Sequence, residues 1–278
     1  MKAMIFAAGL GTRLRPLTDT RPKALVEVNG KPMLCRVAEK LVKSGFNEIT
    51  INVHHFAEMI SQYIEDNKQF GAQIRISDER ERLLDTGGGL KKAWQQIFAD
   101  DKQMEVELKM LMGQSIRKEI TPIELNEAFR RMNHRHSVLV TNVDILTNCD
   151  YRALYAAHVA DEEAAATLLV SDRPTNRYLL FDDQMRLAGW INRATGQTKP
   201  EGFEYEEGKY RELAFSGIQV VSASMFTHMP EGKYSIIDFY LDNSKELTIR
   251  GSVEPNLKIL DIGKPETLCV ADEFLKQI

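Results

Sequence analysis

The chain has 278 residues, 43% of them hydrophobic and 27% charged, and a formal net charge of −4. That is the composition of a globular protein with enough chain to bury a sizeable core. The acidic balance excludes a polyanion such as DNA as the main partner, which would call for a basic stripe. No apolar run approaches the roughly 18 residues of a membrane span, and Met1 leads into a strand-like segment rather than a secretory leader. No nucleic acid and no membrane are therefore expected as partners, and the expected location is cytoplasmic. Cys35, Cys149 and Cys269 stand far apart without metal spacing, as reduced packing residues do.

In chain order, AMIFAA (3–8) is a continuous apolar run ending at Gly9, which predicts a buried parallel strand. Residues 32–44 put Met33, Val37 and Leu41 at helical spacing between a leading proline and Gly45. EITINVHH (48–55) reads as a strand, FAEMISQYIEDNKQF (56–70) as a helix and AQIRISDE (72–79) as a strand. LLDTGGG (83–89) then reads as a glycine loop and LKKAWQQIF (90–98) as a third helix. This alternation predicts a parallel sheet covered on both faces, extended by 137–146 and 165–172.

Between them, residues 101–136 are densely charged, and TPIELNEAFRRM (121–132) pairs Thr121 with Glu124 as a capping box. Ile123, Leu125, Phe129 and Met132 give that stretch an apolar face. So long an insertion in a compact domain needs structure of its own, here one or two helices. Their apolar face is expected to pack on the parent domain or on a second copy of the chain, the latter giving a homo-oligomer. After residue 174 strand-like pieces dominate, with a short helical stretch at 235–244 and a last helix at 265–278.

The stretch FAAGLGTRLRPLTDTRPKAL (6–25) carries the strongest chemical signal. Gly9 and Gly11 permit positive φ and close ligand approach at the carboxyl end of the first strand, where open α/β sheets bind ligands. Arg13, Arg15, Arg21 and Lys23 add charge suited to phosphate oxygens. A dinucleotide fingerprint would want a third glycine where Leu14 stands, and a P-loop would want Gly-Lys-Ser/Thr; neither fits.

The pattern Gly-x-Gly-Thr-Arg-x-x-Pro-Leu-Thr (9–18) followed by Pro-Lys-x-Leu (22–25) instead resembles the sugar-nucleotidyltransferase family, nearest its uridylyltransferase and guanylyltransferase-like branch. The resemblance implies a Rossmann-like α/β fold: a mixed, mostly parallel doubly wound sheet with a β-rich sugar-side region, in one domain over 1–278 with the helical insertion 101–136. It implies a substrate pair, an NTP (UTP or GTP) and a sugar 1-phosphate, giving an NDP-sugar and pyrophosphate. Ala7, Ala8, Gly9, Gly11, Thr12, Arg13 and Lys23 become nucleotide-binding positions, with Thr86, Gly87 and Gly88 from a second glycine loop. VTNVDIL puts Asp144 where the family has a metal-binding aspartate, with Val143 where glycine is common. LKILDIGKPETL makes Asp261 the second ligand of a Mg²⁺ ion, with Lys264 where threonine is commoner. LAFSGIQVV brings Ser216 and Gly217 to the sugar. Arg13, Lys23 and Asp144 are the implied catalytic residues. A sugar 1-phosphate is already largely dianionic at neutral pH, so no general base is needed and catalysis reduces to positioning and charge neutralisation. A catalytically silent nucleotide- or sugar-phosphate-binding module is the alternative that keeps the same motifs.

Overall fold

The computed structural model describes residues 1–98, 102–125, 127–128 and 136–278. The apolar run after Met1 forms β1 (Lys2–Phe6). The strand stops two residues short of the predicted end because the Ala7 amide leaves the ladder and donates to the Asn52 side chain at 2.8 Å. The loop that follows holds 3-10 turns at Thr12–Leu14 and Lys23–Leu25 and a small hairpin, β2 (Glu27–Val28) and β3 (Lys31–Pro32). Helix α1 (Met33–Lys43) buries Met33, Leu34, Val37, Ala38 and Leu41 along one stripe, the spacing a surface helix needs to cover a sheet. Next come β4 (Glu48–Val53), α2 (Ala57–Asp66), β5 (Gln73–Asp78) and α3 (Asp85–Ile97).

The glycine loop expected at 83–89 is a loop only at its start. Helix α3 begins at Asp85 and contains all three glycines, which are buried. Their lack of side chains serves close packing, described below.

Helix α4 (Lys102–Ile116) opens the insertion, and the chain is helical again at 122–125 and 127–128. The capping box forms: the Glu124 amide donates to Thr121 Oγ1 at 3.2 Å, and the Thr121 amide donates to the Glu124 carboxylate at 2.8 Å. Leu111 packs on the body of the protein, whereas Val106, Met110, Ile116 and Ile123 are exposed. Phe129 and Met132 lie outside the described residues.

The remaining elements are β6 (Ser137–Asn142), β7 (Ile145–Thr147), α5 (Tyr151–Ala160), β8 (Ala164–Ser171), β9 (Arg177–Phe181), β10 (Leu187–Asn192) and β11 (Thr198–Lys199). They are followed by β12 (Arg211–Ser222), α6 (Ala223–Phe226), α7 (Ile236–Asp242), β13 (Thr248–Val253), β14 (Ile259–Asp261) and α8 (Pro265–Leu275).

Among the described residues, ten strands make one mixed sheet. Strands β5, β4, β1 and β6 are neighbours in that order and all parallel. Strand β12 pairs antiparallel with β6 and continues into β8 and into the β9–β10–β11 meander, while β13 returns parallel to β8. Consecutive burial along β6 and β8 shows that both faces are covered. One apolar cluster joins α1, α2 and α5 to one face through Leu34, Leu41, Ile60 and Leu154. The other joins α3 and α7 to the opposite face through Trp94, Val140, Leu168 and Tyr240.

Candidate active site

Because β1, β4, β5 and β6 are parallel, their carboxyl ends share one edge, and a cavity of ≈ 350 Å³ opens there. Ala7, Ala8 and Gly9 after β1, Asn142 to Asp144 at the end of β6, and Glu79, Leu83, Asp85 and Thr86 after β5 supply its walls, with Asn52 and Lys23.

The first loop is folded back on itself at Gly11, whose φ of 65° is open to glycine at little cost. A Cβ there would lie 2.9 Å from Thr18 Cγ2 and 3.0 Å from Lys23 Cβ. Thr18 Oγ1 donates to the Gly11 carbonyl at 2.8 Å, closing the turn. That closure returns Lys23 to the end of β6, where its ammonium pairs with the Asp144 carboxylate. Gly9 faces open space, so no steric demand fixes glycine there. Arg13 extends to Gly263, where an added Cβ would lie 2.7 Å from both an Arg13 guanidinium nitrogen and Asp261 Oδ1. Gly11, Thr12, Arg13, Arg21 and Asp261 stand outside the cavity lining, and Arg15 turns to Asp19 at 3.3 Å. Of the four cations in the loop, Lys23 reaches Asp144 and Arg13 reaches Asp261.

Asp144 follows β6 and is 8% exposed. The Val143 amide donates to the Phe6 carbonyl at 3.1 Å, keeping the turn beside β1. Strand β7 leaves this turn and pairs antiparallel with β14, setting Asp261 opposite Ile145, while the Ile262 amide donates to the Asp144 carbonyl at 2.8 Å. This ladder brings the two aspartates together from distant parts of the chain. Part of Asp261 stays open to solvent, yet the protein around it and then the Asp144 carboxylate raise its carboxyl above the usual range; Lys23 and Arg13 oppose that shift. Two carboxylates held against each other and flanked by cations suit a hard divalent cation. Mg²⁺ takes one or two carboxylates and completes its shell with water and substrate oxygens. Among the described residues no third His, Cys, Asp or Glu joins the pair.

Thr86 lines the cavity, and its Oγ1 also accepts the Ile236 amide at 3.0 Å. Gly87 and Gly88 do not line it. An added Cβ on Gly87 would lie 2.3 Å from the Tyr234 ring, and one on Gly88 would lie 2.0 Å from the Gly232 carbonyl oxygen. The Gly87 amide donates to the Tyr234 carbonyl at 2.9 Å. The first two glycines therefore receive the segment 232–235, which carries Lys233 into the cavity wall. Ser216 and Gly217 form a bulge in β12 and also stand outside the cavity lining. Gly217, at φ 72°, leaves room for the Asn142 amide, 2.7 Å from where a Cβ would be, and Asn142 lines the cavity.

Sequence reasoning missed Asn52, Glu79, Asn142 and Lys233. The first had a signal, a polar side chain inside the buried run of β4, where it must find partners. Nothing in the sequence around Lys233 marks it.

Residues 2–181 match the model of the nucleotidyl transferase family. An N-acetylmuramate alpha-1-phosphate uridylyltransferase of Neisseria meningitidis is 31% identical over 239 residues, 84% of this chain and 85% of that one. A protein of the same name from Caulobacter vibrioides is 47% identical over 93 residues, 33% of this chain, and the match spans only 38% of that relative's length. Among solved structures, HddC of Yersinia pseudotuberculosis superposes with a TM-score of 0.68 at 20% identity over 99% of both chains. A putative glucose-1-phosphate thymidylyltransferase of Bacillus anthracis gives 0.69 at 16% identity over 100% of this chain and 96% of that one, so both share the fold. With the family model running from β1 through β9 and one relative matched over most of both chains, this chain belongs to the nucleotidyl transferase family.

Proposed function

We propose that the protein condenses an NTP, UTP or GTP, with a sugar 1-phosphate to give an NDP-sugar and pyrophosphate, by direct in-line transfer that depends on Mg²⁺. The observation that carries this is the meeting of Asp144, Asp261, Lys23 and Arg13, of which Asp144 and Lys23 line the cavity on the carboxyl edge of the parallel strands. The name of the Neisseria meningitidis relative, a uridylyltransferase, supports UTP, and GTP rests on the guanylyltransferase-like branch that the first loop resembles.

Asp144 and Asp261 would hold Mg²⁺, which supplies charge neutralisation on the phosphate oxygens. Lys23 and Arg13 draw charge from the triphosphate toward the departing pyrophosphate. The tight turn at Gly11 fixes Lys23 so that its ammonium is in place before substrate arrives, which lowers the cost of ordering. The acceptor is its own nucleophile as a dianion, so no side chain has to remove a proton.

Incubating the protein with each of four NTPs, Mg²⁺ and a panel of sugar 1-phosphates, then identifying products by mass spectrometry, tests the reading. An NDP-sugar with UTP or GTP is expected; none with any pair contradicts it. The metal assignment has its own readout. Mg²⁺ should raise the melting temperature of the parent protein and leave that of Asp261→Asn unchanged, whereas an equal rise in both would remove Asp261 as a ligand. The same reading includes a second copy of the chain as partner through 101–136, supported by the exposed Val106, Met110, Ile116 and Ile123.

A further inference from the structure

The cavity wall holds a carboxylate that the phosphate end does not use. Glu79 is fully buried, and among the described residues no cation pairs with it. It is satisfied by neutral donors instead. Asn52 Nδ2 donates to Glu79 Oε1 at 2.7 Å, and the Leu84 amide donates to Glu79 Oε2 at 3.1 Å. Asn52 Oδ1 in turn accepts the Ala7 amide at 2.8 Å. One unbroken chain of hydrogen bonds thus runs from the Ala7 backbone, through two side chains, to the Leu84 backbone. Gly89 makes space for it: a Cβ there would lie 2.8 Å from Glu79 Oε1 and 3.1 Å from Asn52 Nδ2.

The chain joins two loops that line the cavity, 7–9 after β1 and 83–86 before and at the start of α3. If the triphosphate lies at Lys23, Arg13 and Asp144, the base is left to the end of the cavity where Asn52, Glu79 and Thr86 stand. There the peptide groups of the two loops would meet its edge. Their separation is set by the link, and the Ala7 amide, already committed to Asn52, is held as part of the frame.

We propose that Asn52 and Glu79 are positioning residues that determine base selectivity by fixing the distance between the two loops that bracket the base. This rests on the reading of the cavity as an NTP site. The polarity of the link makes it testable. In Glu79→Gln, whichever way the amide turns, a donor faces either Asn52 Nδ2 or the Leu84 amide, and turning Asn52 sets its donor against the Ala7 amide. In Asn52→Asp, two carboxylates face each other. The double variant N52D/E79Q has the parent's net charge and restores every bond. The side-chain amide introduced at position 79 donates to the carboxylate introduced at position 52, and the remaining oxygens accept the Ala7 and Leu84 amides.

The four proteins are compared for binding of each of the four NTPs by calorimetry without acceptor, for turnover, and for melting temperature. Each single variant should lose about tenfold or more of the parent's preference for its best NTP over the next, the scale of one buried group left unsatisfied. The KM for sugar 1-phosphate should stay within about twofold, and the double variant should regain the parent's preference. Unchanged preference in the single variants, with stability alone affected, would overturn the proposal, as would a double variant no better than the worse single. Should a single variant fail to fold, Asn52→Ala cuts the link without setting donor against donor, and retained preference there overturns the proposal equally. A parent that binds no NTP removes the nucleotidyltransferase reading and this proposal together; a parent that binds and turns over NTP alongside unaffected variants removes the proposal alone.

Discussion

Asp144 and Asp261 each have a basic neighbour from the first loop, Lys23 on Asp144 and Arg13 beside Asp261. The Lys23–Asp144 pair is largely buried, so deleting the lysine leaves an uncompensated carboxylate against Asp261, a costly state. In the proposed reaction Lys23 faces the triphosphate rather than the acceptor. Lys23→Ala should therefore raise the KM for NTP by about tenfold or more, the worth of one charge-assisted hydrogen bond, and move the KM for sugar 1-phosphate by less than about threefold. Equal loss on both substrates in steady-state kinetics would contradict the placement of the loop. At this scale the sequence is informative where chemistry needs a particular atom. Gly11, Lys23 and Asp144 are legible in the motifs, and the structure brings them together. Gly87 and Gly88 read as ligand contacts, and the close approaches that the structure shows at them are those of the Tyr234 ring and the Gly232 carbonyl.

Two elements organise the site, the N-terminal turn of α3 and the β7–β14 ladder. The segment 232–235 is seated on α3 by contacts that admit no side chain, so Gly88→Ala must displace either the helix or the Gly232 carbonyl. Overpacking of this kind costs about 1–3 kcal/mol, which urea denaturation should show as a fall in the midpoint. A midpoint within error of the parent would mean that the segment is loosely held. The strands and helices of the first half are legible because apolar runs and helical stripes alternate with glycine and proline stops. Partnership across long separations is not. The pairing of β14 with β7, which sets Asp261 beside Asp144, is backbone hydrogen bonding that no local pattern reports, and Asp261 comes from the resemblance alone. Likewise the start of α3 within 83–89 reflects tertiary packing overriding the poor helix propensity of three glycines.

Across the whole molecule, one sheet carries a parallel half with the cavity at its edge and an antiparallel half that leads β12 back against β6. The insertion enters this frame just before β6, the strand that ends at Asn142, two residues before Asp144. Its exposed apolar residues, Ile116 at 79% and Ile123 at 72%, are the sort that a second copy would cover. Replacing residues 101–135 with a short Gly/Ser linker keeps His136, whose carbonyl accepts the Ala223 amide at 3.0 Å. Light scattering should then report a fall in mass from dimer to monomer; an unchanged mass would exclude the insertion as the contact. No described helix is long and apolar enough to cross a membrane.

On the proposed reading, Asp144 from the middle of the chain and Asp261 from its far end meet Lys23 and Arg13 of the first loop to transfer a nucleotidyl group to a sugar phosphate. Pyrophosphate release, measured for the parent and Asp144→Asn with the best NTP and sugar 1-phosphate at limiting Mg²⁺, tests it most directly. A parent rate that depends on both substrates, with a loss of about 100-fold or more in the variant, is the expected result. No release by the parent, or a variant within about threefold of it, would contradict the account.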